Sequence, residues 1–64
     1  MFQLSYNADQ RTVRVRFLNA SAPEEVFYRD ADARFFYPEQ IIEVHASGKF
    51  VSILPLGQTL VIFE

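Results

Sequence analysis

Apolar and polar residues alternate along much of this chain with a period of two, the spacing of half-buried β-strands. Over Phe2-Gln3-Leu4-Ser5-Tyr6 every second residue is apolar. After the turn-prone Asn7-Ala8-Asp9-Gln10 the alternation resumes over Thr12-Val13-Arg14-Val15-Arg16-Phe17. These runs predict a hairpin pairing Tyr6 with Arg11, Leu4 with Val13 and Phe2 with Val15. In that register Phe2, Leu4, Val13, Val15 and Phe17 share one face, and Gln3, Ser5, Thr12, Arg14 and Arg16 take the other. Both strands agree on the apolar face, as a register must.

The last third predicts a three-stranded meander over about Ile41–His45, Phe50–Leu54 and Thr59–Phe63, joined by turns at Ser47-Gly48 and Pro55-Leu56-Gly57-Gln58. Its simplest register puts Ile42, Val44, Val51, Ile53, Leu60 and Ile62 on the core face. The opposite face carries Ile41, Glu43, His45, Phe50, Ser52, Leu54, Val61 and Phe63, too many apolar groups to stand bare in water. In the middle, Ser21-Ala22-Pro23-Glu24 suits a helix start, so one short helical turn is expected near Pro23–Glu25. No helical stripe follows it. Val26–Arg29 and Arg34–Tyr37 instead predict an aromatic hairpin around Asp30–Ala33, pairing Tyr28 with Phe35 and Phe27 with Phe36. The expected fold is an all-β single domain over residues 1–64, with six to seven strands in a bent sheet or small open barrel.

Length sharpens the problem of stability. A chain of 64 residues buries only about 60% of its unfolded surface on folding. It has no cysteine for a disulfide and one histidine, which excludes thiolate zinc sites and imidazole clusters. Half the residues are hydrophobic, with seven Phe and three Tyr, so association with another chain is the remaining way to add core. The second meander face supplies the expected interface, Phe50, Leu54, Val61 and Phe63, backed by the uncharged edge Thr59–Phe63.

Candidate chemistry is sparse. Asp30 and Asp32 have metal-like spacing, but Ala33 and Arg34 follow where a calcium loop needs glycine and further oxygen ligands. His45 and Glu43 lack a nucleophile to serve. Two glycines in the whole chain cannot build a phosphate cradle. No catalytic, metal or cofactor residue is expected, and the chain reads as a non-enzyme. A net charge of −2 gives no general attraction to nucleic acid or anionic membrane. Arg14 and Arg16, with Arg11 at the turn, form one basic stripe that could track phosphates. No apolar run approaches the roughly 20 residues of a membrane span, and the opening residues lack the basic flank of a signal peptide, from which a cytoplasmic location is expected.

The run Phe36-Tyr37-Pro38-Glu39-Gln40-Ile41-Ile42-Glu43-Val44-His45-Ala46-Ser47-Gly48-Lys49-Phe50-Val51-Ser52-Ile53, within Phe36–Leu60, resembles part of the LytTR-type domain, a β-rich DNA-binding module of transcription regulators. There a Pro-x-acidic-Ile entry of similar kind leads into a strand, a small-residue turn and a β-rich return. The resemblance implies a β fold and nucleic acid as a partner class. This chain has His45 where that family usually has an acidic residue and Lys49 near its usual asparagine, and no DNA-contacting residue carries over. The functional expectation is a non-enzymatic protein-interaction module, acting as a homo-oligomer or a small subunit of a larger complex. The alternative is a nucleic-acid-binding module using Arg11, Arg14 and Arg16.

Overall fold

Seven strands form in the computed structural model, which describes residues 1–19, 21 and 24–64: β1 (Phe2–Asn7), β2 (Thr12–Phe17), β3 (Glu25–Arg29), β4 (Ala31–Phe36), β5 (Ile41–Ala46), β6 (Lys49–Pro55) and β7 (Thr59–Phe63). They lie in a four-stranded sheet of order β3-β2-β1-β7 and a three-stranded sheet of order β4-β5-β6. The all-β expectation holds. The expected helical turn near Pro23–Glu25 falls partly on residue 23, outside the described residues, and Glu25 itself opens β3. Helical geometry among the described residues is confined to a 3₁₀ turn at Leu56–Gln58. None of it is long and apolar enough to cross a membrane.

The first hairpin forms with its predicted faces and a register two residues away from the predicted one. Leu4 pairs with Val15 and Tyr6 with Val13. The loop is Ala8–Arg11, and it closes because Arg11 takes a left-handed conformation (φ 54°) while the Gln10 N–H donates to Asn7 Oδ1 at 3.0 Å. Side chains repeat every two residues, so a two-residue slip leaves every one on its predicted face.

The aromatic hairpin does not form. Its two strands exist, but β3 pairs with β2 and β4 with β5. A single residue, Asp30, separates them, too short a link for a hairpin, and its positive φ of 49° turns the chain out of one sheet into the other. Asp tolerates this region better than most residues, because its short polar side chain bonds locally. Two backbone bonds of 2.8 Å pin the corner: the Ala31 N–H donates to the Arg11 carbonyl, and the Ser47 N–H donates to the Asp30 carbonyl.

The meander also ends early. β5 and β6 pair through a two-residue turn in which both Ser47 (φ 55°) and Gly48 (φ 75°) have positive φ, the signature of a hairpin turn whose twist matches its strands. His45 faces Phe50 but Val44 faces Ser52, so Val51 is an extra residue on β6. This bulge inverts the predicted faces of β6 beyond it. Leu54, placed on the outer face by simple alternation, is 3% exposed, whereas Ile53, placed in the core, is 53% exposed. β7 leaves the meander altogether. It passes the 3₁₀ turn and joins β1 in parallel, Leu4 opposite Val61. That register turns Val61 inward and leaves Leu60 and Ile62 exposed, the reverse of their predicted face.

Both links between the sheets are therefore nearly continuous strands. β3 runs into β4 through Asp30, and β6 into β7 through the 3₁₀ turn, so strand order returns from β7 to β1 and describes a small, open barrel. The second corner is held by the Leu56 N–H donating to the Gln40 carbonyl at 2.9 Å and by the Thr59 hydroxyl donating to the Pro55 carbonyl. Leu4, Val13, Ala31, Ile42, Val44 and Leu54 fill the interior. Tyr28 and Phe35 pack against them half-buried, while Phe27 and Phe36 stay exposed.

Candidate functional site

Two features of the surface could meet a partner. The first is the outer face of the four-stranded sheet, where a shallow polar depression is lined by Gln3, Ser5, Arg14, Arg16, Glu25, Ile62 and Glu64. The alternation that sends Val13 and Val15 inward sends Arg14 and Arg16 here. Both arginines are engaged. Arg14 is ion-paired with Glu64, and Arg16 bonds Glu25 through its Nε at 3.2 Å and Nη2 at 2.8 Å. Arg11 stands apart in the β1–β2 turn, its backbone carbonyl committed to Ala31. Arg14 and Arg16 are thus matched with carboxylates across the sheet, Arg16 with Glu25 on the adjacent β3 and Arg14 with Glu64 just past β7, on the far side of β1. Both guanidiniums already hold carboxylates where a phosphate would sit.

The residues singled out for metal or acid–base chemistry lie elsewhere. Asp30 forms the corner between β3 and β4, while the Asp32 side chain accepts a bond from Arg34 Nε at 3.1 Å. Glu43 Oε1 lies 2.8 Å from His45 Nε2, and the His45 ring meets Phe50 edge-on with centroids 5.8 Å apart. Among the described residues no group of three His, Asp or Glu side chains is placed to hold a metal ion.

The second feature is an apolar groove beside β7, lined by Phe35, Tyr37, Leu56, Val61 and Phe63. It opens where the barrel splays, between β7 and the end of β4. Phe63 lies 6.0 Å from Phe35 and 6.5 Å from Tyr6, measured between ring centroids. Phe63 is itself 70% exposed, as is Tyr37. The four residues expected to form one interface are divided by the fold. Leu54 is in the core, and Phe50 is exposed on the three-stranded sheet next to His45. Val61 is half-buried, and only Val61 and Phe63 reach the groove. Phe35 and Tyr37 join them from a segment distant in sequence and Leu56 from the 3₁₀ turn just before β7, and the local pattern marks none of the three as a surface residue.

Apolar exposure extends well beyond the groove. Among the described residues thirteen large hydrophobic side chains are substantially exposed, against six hydrophobic residues fully buried. Comparison with family models, with curated proteins and with solved structures finds no match to this chain.

Proposed function

We propose that this chain is a non-enzymatic protein-interaction module, completed by association with a second copy or as a small subunit of a larger complex. The observation that carries this reading is the imbalance between core and surface. Among the described residues, exposed Phe, Ile, Leu, Val and Tyr side chains outnumber the buried core residues about two to one, and extensive exposed apolar surface is what interaction sites present. The pairing of Arg14 and Arg16 with carboxylates favours this reading over phosphate tracking.

Sedimentation velocity at micromolar concentration, combined with fluorescence of an apolar dye, tests it. The expected result is a mass above the 7.4 kDa of one chain, or a monomer that binds the dye strongly in its folded state. A monodisperse monomer that leaves the dye dark would overturn the proposal.

A further inference from the structure

We infer that β7 is the self-association edge, pairing antiparallel with β7 of a second copy about a two-fold axis through Val61. This rests on the interaction-module reading above and deepens it by naming the partner and the register. Among the described residues β7 hydrogen-bonds as a strand to β1 alone, on one side. In a parallel ladder, successive residues turn their N–H and C=O groups alternately toward the partner and away from it. The Glu64 N–H donates to the Tyr6 carbonyl at 2.8 Å, so the even-numbered residues of β7 face β1. Thr59, Val61 and Phe63 accordingly turn theirs to the open edge. The Thr59 N–H is taken by the Leu56 carbonyl, which leaves the Thr59 carbonyl and both groups of Val61 and Phe63.

All of these groups but the Phe63 carbonyl, whose counterpart Thr59 N–H is already bonded to Leu56, are self-complementary. With Val61 opposite Val61 of the second copy, each Val61 N–H meets the other's carbonyl, and each Phe63 N–H meets the Thr59 carbonyl across the axis. The side chains match on both faces in the same register. On the outer face Leu60, 57% exposed, falls opposite Ile62 of the second copy, and on the inner face Phe63 falls opposite Thr59 at the mouth of the groove. Glu64, already paired with Arg14, falls opposite Gln58, so no like charges meet.

The other edges are defended. β3 carries Glu25 and Arg29, β4 carries Asp32 and Arg34, and β6 carries Lys49, whereas β7 carries no charge. Charged residues are what sheets use to keep an edge from pairing. A second β7 matches both apolar faces of this strand at once and adds no charge to either. Pairing would extend the four-stranded sheet across the axis into a continuous eight-stranded one.

Because the chain lacks cysteine, single cysteines can read the register. Directly opposed, hydrogen-bonded residues of antiparallel strands have Cα atoms about 5.5 Å apart, within the roughly 4.4–6.8 Å span of disulfides. Residues on a diagonal lie about 7–8 Å apart, beyond it. Val61→Cys should therefore cross-link to its own copy rapidly on mild oxidation, and Leu60→Cys and Ile62→Cys should do so slowly. Leu60→Lys, at an exposed position, should reduce the sedimenting mass to that of one chain with amide dispersion retained, and Ile53→Lys on β6 should not. A dimer that cross-links equally at all three positions, or survives Leu60→Lys, would overturn the β7 interface and leave the module reading standing. A wild-type chain that sediments as a monomer also overturns the interface, and the dye measurement then judges the broader reading separately.

Discussion

Leu54 and Ile53 are neighbours on β6 with nearly identical chemistry and opposite surroundings, which makes them a direct test of the bulge at Val51. Leu54 is enclosed by Ile42, Val44 and the rest of the interior, at 3% exposure, while Ile53 is 53% exposed. Truncating a fully buried Leu to Ala removes its transfer free energy and leaves a cavity, together about 2–5 kcal/mol. At roughly 0.05–0.15 kcal/mol per residue, a domain of this size has a total stability of about 3–10 kcal/mol, so Leu54→Ala removes a large fraction of it. Ile53 already has half its surface in water and leaves no cavity, and Ile53→Ala should cost below about 1 kcal/mol. Urea unfolding followed by circular dichroism measures both. Association stabilises by mass action, so the two variants are compared with wild type at one low protein concentration. Equal losses, or a larger loss for Ile53→Ala, would refute the bulge and restore the simple alternation of faces along β6.

The corner at Asp30 should discriminate by backbone chemistry alone: with φ at 49°, Asp30→Gly should be tolerated, whereas Asp30→Val should lower stability by about 1–2 kcal/mol, read from thermal melts. Phe35 packs against the core while lining an open groove, so Phe35→Ala should cost less than the about 3–5 kcal/mol of a fully enclosed Phe and should still give a dispersed amide spectrum. Replacing both Arg14 and Arg16 by Ser breaks two exposed ion pairs worth at most about 1 kcal/mol each, with the loss shrinking as salt rises. A mobility shift with mixed oligonucleotides that disappears in this double variant, with melting unchanged, would instead assign the stripe to phosphate.

The strands themselves were legible in the sequence, because period-two alternation is a local property that each segment carries alone. The faces of β1 and β2 followed for the same reason, and a two-residue slip between them could not spoil that assignment. The turn at Ser47-Gly48 was equally local. Three features had no local signature. An extra residue at Val51 exchanged Leu54 for Ile53 in the core, since one inserted residue inverts every side chain beyond it. A left-handed Asp30 sent β3 and β4 to different sheets, although their aromatic residues would have paired well as a hairpin. β7 abandoned β6 for β1, at the other end of the chain, and so chose which of its faces is buried. Each is a choice among pairings of similar local merit, decided by which one encloses Leu4, Val13, Ile42, Val44 and Leu54 together. The groove is a product of those same choices. Its Phe35, Tyr37, Leu56, Val61 and Phe63 become neighbours only because the two corners bring β4, the 3₁₀ turn and β7 to one opening of the barrel.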